Sequence, residues 1–204
     1  MGSRDERLFA APPRARRGRP LEPLELVERL AEARIGETHN QYAGCALRQR
    51  RLHEYLIARA GCEVVLVGEA AGYRGARISG IPFTSERQLT GAGPAEATAT
   101  IVHRVLEELG VEDEVLLWNV VPTHPGDESS NRRPTREEVE AALPFLAELV
   151  RGRAAIAVGR LAAATLDAPY VRHPSHGGAV AFDEGLRRAF ATIGRRRAGS
   201  RRFL

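Results

Sequence analysis

Lysine is absent from this 204-residue sequence, and all 30 of its basic residues are arginine. The absence excludes two kinds of site. A P-loop that binds nucleotide phosphates requires the lysine of its Gly-Lys-Ser/Thr motif, and catalysis through a lysine Schiff base requires an ε-amine. Apart from its α-amino group, the chain has no amine that could form such an intermediate.

Cysteine and long apolar runs are also scarce. Cys45 and Cys62, the two cysteines, lie in neither a Cys-x-x-Cys pair nor a Cys/His cluster with metal-ligand spacing. No apolar run approaches the roughly 20 residues of a membrane span, and the N-terminus lacks the apolar core of a secretory signal. We therefore expect no metal site, no membrane association and a cytoplasmic location.

Length and charge suggest one domain with two basic ends. A chain of this size suits a single α/β domain. Its formal charge of +4 and pI near 9.7 suit a polyanionic partner such as nucleic acid, although many basic proteins bind none. We expect a flexible Arg/Pro-rich arm over residues 1–20, a domain over 21–194 and a basic tail over 195–204. Either end would attract phosphates or merely add solubility.

Hydrophobic periodicity predicts an α/β fold. Helices are expected near residues 22–34, 46–60, 95–109, 135–150, 159–166 and 184–193. Four short apolar runs, at residues 64–67, 115–118, 154–158 and 169–172, are typical of strands. Because these runs are continuous rather than alternating, both faces of the sheet should be covered. We predict a three-layer α/β/α sandwich with a central, mainly parallel, four-stranded sheet.

Polar residues follow three of the predicted strands. Glu69 comes after the first strand, Asn119 after the second and His173 after the fourth. Ligands of an open parallel sheet bind beyond the carboxyl ends of its strands. Each residue alone would more often be a turn, cap or surface residue, but together they indicate one site. His173 and His176 offer a metal only two ligands, so metal-free binding or hydrolysis is favoured.

Five ordered segments carry a resemblance to a known family. They are Gly68-Glu69-Ala70-Ala71-Gly72, Gly80-Ile81-Pro82-Phe83, Asn119, Asn131-Arg132-Arg133-Pro134-Thr135 and His173-Pro174-Ser175. Over roughly residues 40–190 the sequence resembles the uracil-DNA glycosylase superfamily, and most closely its bacterial branch typified by the iron–sulfur (family 4) enzymes. The resemblance implies a base excision repair enzyme that hydrolyses the bond between a deaminated base and deoxyribose.

Departures from the family pattern modify this expectation. Ala71 replaces the usual proline of the first motif, and Pro122-Thr123-His124-Pro125 stands where the clustered enzymes resemble Lys-Cys-Arg-Pro. Two cysteines cannot supply the four thiolates of an iron–sulfur cluster, so we predict a cluster-free relative without a cofactor. Gly72 stands where some members carry a bulky residue that excludes the thymine methyl. We therefore expect a roomier pocket that also tolerates hypoxanthine, xanthine or a 5-substituted uracil.

The resemblance also implies roles for single residues. Phe83 would stack on the base, and the Asn119 carboxamide would pair with N3–H and O4 of uracil, a pattern that cytosine reverses. His173 would donate to O2 of the departing base. Glu69 would position water and stabilise the sugar cation, or would instead hold the second-motif loop in register. The other expected base-pocket residues are Gly68, Ala70, Gly72 and Tyr73. The expected DNA contacts are Arg74, Arg77, Ser175, His176 and Gly177.

The lack of lysine bears on the product of such an enzyme. Strand cleavage by a glycosylase proceeds through a Schiff base, usually on lysine, so we expect no lyase activity and an intact strand with an abasic site. The expected partner is single- or double-stranded DNA containing uracil or another deaminated base, bound by a monomer. Two alternatives stay open. The fold could bind such DNA without turnover, or covalently through His124 or His176, or it could hydrolyse free nucleosides.

Overall fold

A computed structural model of the chain describes residues 21–200, with side chains through residue 194. Its helices are α1 (Pro23–Glu32), α2 (Ala46–Ala58), α3 (Ala76–Ser79), α4 (Glu86–Thr90), α5 (Ala97–Glu108), α6 (Arg136–Val150), α7 (Arg160–Thr165) and α8 (Ala179–Ser200). Its strands are β1 (Val64–Ala70), β2 (Val115–Val121), β3 (Ala154–Val158) and β4 (Tyr170–Val171), and a 3-10 turn (Glu112–Glu114) precedes β2.

The four strands form one parallel sheet in the order β2-β1-β3-β4. The predicted α/β class and parallel four-stranded sheet are therefore confirmed. Gly68 of β1 lies opposite Asn119 of β2 in the register of the central pair. The pairing of β1 with β2 alone therefore places the first motif beside Asn119, independently of the loops.

The continuous apolar runs reflect a sheet that is covered on both faces. Successive side chains of a strand point to opposite faces, and in β1 Val65 and Val67 pack in one core cluster while Val64 and Leu66 pack in the other. Helices α1, α2 and α6 contribute to the first cluster, and α5 and α8 contribute to the second. The result is the predicted sandwich of helices, sheet and helices.

The structure differs from the prediction at short and terminal helices. Helices α3 and α4, of four and five residues, were not expected because they are too short to show a 3.6-residue period. Helix α8 begins at Ala179 and continues to Ser200, past the domain boundary predicted at residue 194. Arginine and alanine are good helix formers, so the helix continues where apolar residues end. The expected N-terminal arm and residues 201–204 lie outside the described residues.

None of the helices within residues 21–200 is long and apolar enough to span a membrane.

Candidate active site

A cavity of about 540 Å³ lies at the carboxyl ends of the strands, within the usual size range of small-molecule sites. Glu69, Asn119 and His173, which the sequence predicted from three separate strands, all line it together with Phe83. The structure thus brings the acid, the amide and the imidazole into one cavity. The other lining residues are Ala70, Ala71, Gly72, Glu96, Thr98, Pro125, Asn131, Arg132, Arg133, Gly159, Arg160, Tyr170, Arg172, Ser175 and His176.

Asn119 lies inside β2, because this strand continues to Val121, and its side chain is only 3% exposed. Its Oδ1 would lie 2.8 Å from a Cβ added to Gly68, and the same Cβ would overlap Cζ of Phe83. A side chain at position 68 would therefore separate the amide from the aromatic ring. Within residues 21–200 no group forms a hydrogen bond with the Asn119 carboxamide. A buried polar group in this state is available for a ligand.

Phe83 adopts a left-handed backbone conformation with φ of 53°, which is unfavourable for a residue with a side chain. Hydrogen bonds on both sides hold it there. The Ser79 hydroxyl donates to the Thr84 carbonyl at 2.6 Å, and the Thr84 hydroxyl donates to the Pro82 carbonyl at 3.1 Å. The Thr84 hydroxyl also lies 3.2 Å from Nε2 of His103 in α5. The loop is therefore built to present the Phe83 ring to the cavity.

His173 is held in one tautomer by Ser175. The backbone N–H of Ser175 donates to Nδ1 of His173 at 3.2 Å, and the Ser175 hydroxyl lies 2.8 Å from the same nitrogen. Because Nδ1 accepts, the proton of the neutral ring belongs on Nε2. Burial lowers the pKa of His173, and His176 and Arg172 lower it further. The ring therefore presents a neutral Nε2–H donor.

Glu69 lies near the end of β1 and lines the same cavity. Burial raises the pKa of its carboxyl, and the positive charge of Arg133 opposes this effect. No hydrogen bond links Glu69 to the loop of residues 173–178 in the part of the chain that the structure describes. The alternative role of Glu69, in which it holds that loop in register, therefore has no support in the geometry.

The segment of residues 131–135 braces the first-motif loop. Oδ1 of Asn131 accepts the backbone N–H of Tyr73 at 2.9 Å. Arg132 pairs with the Glu138 carboxylate, which also accepts the Thr135 backbone N–H at 2.8 Å. Arg132 is therefore committed to structure, whereas the side chain of Arg133, which also borders the cavity, forms no ion pair or hydrogen bond with another side chain within residues 21–194.

Comparisons with known proteins agree with this geometry. The profile of the uracil DNA glycosylase superfamily matches residues 57–194. The chain belongs to this superfamily. It is 35% identical over 107 residues to the type-4 uracil-DNA glycosylase of Pyrobaculum aerophilum. That match covers 50% of this chain and 47% of the relative, so the chain spans about half the length of the curated relative it matches.

A solved structure shows the same fold at low sequence identity. Wild-type SMUG2 of Pedobacter heparinus superposes with a TM-score of 0.60 and 11% identity, covering 85% of this chain and 98% of that one. The resemblance that the motifs predicted is confirmed at the level of the superfamily and of the fold.

The space beside the Cα of Gly72 is occupied in this chain. This corrects the expectation that a glycine here leaves a roomier base pocket. A Cβ added to Gly72 would overlap Oε1 of Glu96, and one added to Gly75 would overlap Oε2. The glycines make room for a carboxyl group from the N-terminal end of α5 rather than for a larger base. Glu96 occupies the N-cap position of α5, and it was missed because it belongs to none of the five motif segments.

The expected DNA-contacting residues are only partly at the cavity. Ser175 and His176 line it, whereas Arg74, Arg77 and Gly177 do not. Arg77 pairs with Glu128 at 3.0 Å, and Arg74 lies over the Tyr73 ring at 5.3 Å. Gly68 and Tyr73 also lie outside the lining. Gly68, which has no side chain, lets Phe83 and Asn119 lie close together, and Tyr73 contributes its backbone N–H to Asn131.

Arginines that sequence analysis did not single out lie at the cavity instead. These are Arg133, Arg160 and Arg172. Arg160 directly follows β3 and Gly159, so the rule of strand carboxyl ends applied to the third strand would have found it. Arg172 immediately precedes His173. The cavity therefore combines a buried polar interior with a positively charged border.

His124 cannot serve as the attachment point of the covalent alternative. Its side chain is 0% exposed. Nδ1 lies 2.7 Å from the Ala71 carbonyl, and Nε2 lies 2.8 Å from the Asp127 carbonyl. Both ring nitrogens are thus occupied in joining the first-motif loop to the loop after β2. His176 is exposed, lines the cavity and has a left-handed backbone with φ of 52°.

The cysteines do not fit an iron–sulfur cluster. Cys45 immediately precedes α2 and Cys62 follows it, so the 13-residue helix separates them by about 20 Å. Burial also raises the pKa of the Cys62 thiol, which disfavours the thiolate that a metal requires. Two distant thiols cannot supply four ligands to one cluster.

Proposed function

We propose that this protein is a monofunctional DNA glycosylase that hydrolyses uracil from DNA and leaves an abasic site. The observation that carries the proposal is that two polar groups able to hydrogen-bond a base lie in one cavity. These groups are the buried carboxamide of Asn119 and the neutral Nε2–H of His173, beside the ring of Phe83. Membership of the uracil DNA glycosylase superfamily supports the same activity.

Recognition requires the nucleotide to leave the helix, because a stacked base cannot enter the cavity. Flipping costs a few kcal/mol, least for a mispaired base such as uracil opposite guanine. Stacking on Phe83 and pairing of Asn119 with N3–H and O4 would recover this cost. Cytosine presents the opposite donor and acceptor pattern, so it would leave the buried carboxamide mismatched.

Hydrolysis replaces the C1′–N1 bond by a C1′–O bond from water. The electron pair of the broken bond stays on the base, where charge develops at O2, and Nε2–H of His173 donates to that oxygen. The sugar gains positive charge, which the Glu69 carboxylate stabilises while it orients water and accepts its proton. The proton balance closes when Glu69 returns its proton to solvent and solvent protonates the released uracil anion.

The cationic border supports a polyanionic substrate. Arg133, Arg160 and Arg172 line the cavity, and arginine side chains commonly bind the phosphates of nucleic acids. Free nucleosides carry no such phosphates, so this border favours DNA over the nucleoside-hydrolase alternative.

The test is incubation of the purified protein with labelled oligonucleotides that carry uracil, hypoxanthine or xanthine, analysed on denaturing gels with and without alkali. We expect uracil-containing strands to break only after alkali, and borohydride to trap no adduct because lysine is absent. A shifted band that survives denaturation would instead support covalent attachment, and Arg160→Ala with His176→Ala variants would separate phosphate binding from attachment. Release of uracil from free deoxyuridine but not from DNA would contradict the proposal.

A further inference from the structure

Glu96 is a cavity carboxyl that the proposed reaction does not use. It occupies the N-cap position of α5, where its side chain makes no capping hydrogen bond. It lines the cavity with Gly72, Phe83 and Asn119. Its two carboxyl oxygens occupy the positions that side chains at Gly72 and Gly75 would need. The turn of residues 72–77, closed by the hydrogen bonds of Gly75 and Arg77 to the Gly72 carbonyl, therefore forms a recess around this carboxyl.

The carboxyl has no structural partner in this recess. No group within residues 21–200 hydrogen-bonds to it or pairs with it. Glu138, in contrast, is a carboxyl that serves only the fold. It accepts hydrogen bonds from Arg132 and from the Thr135 backbone. Glu96 is half-buried and its side chain lines the cavity, so a ligand in the cavity can reach a carboxyl that the fold itself does not use.

The position of Glu96 relative to a bound pyrimidine follows from the other contacts. In the proposed pose, Phe83 would cover the ring face, His173 would face O2, and Asn119 would face N3 and O4. C5 follows C4 around the ring, so its edge would face the part of the same cavity that Gly72 and Glu96 line. Burial raises the pKa of Glu96 to about 7, so part of the protein molecules carry an uncharged carboxyl there near neutral pH.

We propose that the Glu96 carboxyl, lodged against Gly72 and Gly75, sets the lesion range by excluding pyrimidines with a substituent at C5. Thymine and 5-hydroxymethyluracil are the bases it would reject. The inference rests on the proposed glycosylase function. It assigns the limit on the size of the base to Glu96, at the start of α5, rather than to position 72.

The experiment compares release of uracil, thymine and 5-hydroxymethyluracil, each opposite guanine, by the wild type and by Glu96→Ala, Glu96→Asp and Glu96→Gln. We expect Glu96→Ala to release the two substituted bases at least about tenfold faster than the wild type, with uracil release within about threefold. Glu96→Gln fills the same space and should keep the wild-type range, while Glu96→Asp should be intermediate. Glu107→Ala, an exposed change on the same helix, is the matched control.

An unchanged range in the folded Ala and Asp variants would overturn the inference. Loss of uracil release in the Ala and Gln variants alike would also overturn it, because Glu96 would then belong to the chemistry. Equilibrium binding of free uracil and free thymine provides a readout that needs no hydrolysis. Thymine should bind to Glu96→Ala and not to the wild type. A wild type that binds uracil but releases none would refute the proposed function alone.

Discussion

The backbone N–H and the hydroxyl of Ser175 both approach Nδ1 of His173, at 3.2 and 2.8 Å. The hydroxyl also lies 3.1 Å from Nδ1 of His176, so one oxygen can donate to the first imidazole while it accepts from the second. Such an arrangement fixes the ring of His173, which lines the cavity, and leaves the proton of the neutral ring on Nε2. Ser175, expected from sequence as a DNA contact, therefore acts on the imidazole through Nδ1.

Substituting Ser175 by Ala should reduce kcat for uracil release by roughly five- to tenfold with little change in KM. The reason is that one hydrogen bond of about 1 kcal/mol net would be lost from the group that orients His173. The tautomer population, measured from the ¹⁵N shifts of the imidazole, should move away from Nε2–H. Thr192→Ala, which removes an exposed hydroxyl of α8, is the control. An unchanged tautomer in Ser175→Ala would contradict this role.

Asn119→Ala should separate function from stability. Because the carboxamide has no partner within residues 21–200, its removal should leave the free energy of unfolding unchanged or slightly higher. The value of kcat/KM for uracil-containing DNA should fall on the order of 100-fold, since recognition at N3 and O4 is lost. Urea titration and single-turnover kinetics on the same preparation check both statements. A large loss of stability would show that the amide serves the fold.

The residues that the structure brings into one cavity, as predicted, are those that a strand positions. Glu69, Asn119 and His173 each adjoin an apolar run, and parallel strands bring their carboxyl ends to one edge. Phe83 was placed by a motif, but its left-handed backbone depends on Ser79, Thr84 and their hydrogen bonds. Those contacts join residues close in sequence in a way that periodicity does not encode.

Residues that reach the site from loops could not be predicted. Glu96 approaches Gly72 across 23 intervening positions, and the approach depends on how α5 packs on the sheet. Arg77 is a similar case, since it pairs with Glu128 of another loop and does not line the cavity. Sequence indicated the presence of arginine in the first-motif loop, while the fold decides which arginines border the cavity.

Glu138→Ala should lower the free energy of unfolding by roughly 3 kcal/mol at neutral pH. Glu138 is 1% exposed and its bonds to Arg132 and Thr135 hold the start of α6. The hydrogen bond from Arg132 lowers the pKa of Glu138 below its ordinary value of 4.5. The stabilisation is therefore present above pH 4.5 and is lost as the pH falls through the lowered pKa. Urea unfolding at several pH values tests this.

The control for Glu138→Ala is Glu140→Ala, which removes the exposed partner of Arg136. Exposed pairs contribute little, so this variant should unfold at the wild-type urea concentration. Equal destabilisation by Glu138→Ala and Glu140→Ala would mean that the buried Arg132–Glu138 pair stabilises the fold no more than the exposed Arg136–Glu140 pair.

Glu96→Gln should become more stable than the wild type as the pH rises. Burial raises the pKa of Glu96 from 4.5 to about 7 in the folded protein, so the folded state binds more protons than the unfolded state between these values. The wild type is therefore most favoured below pH 4.5 and loses this contribution as the pH rises through about 7. Glutamine has no proton to lose. The stability difference between Glu96→Gln and the wild type should grow by on the order of 3 kcal/mol from pH 4.5 to 8.

Urea unfolding of both proteins across this pH range measures the stability difference. Glu107→Gln is the control, and its stability difference from the wild type should not change with pH. If the Glu96→Gln difference is also flat, the carboxyl is solvated and Gly72 does not enclose it.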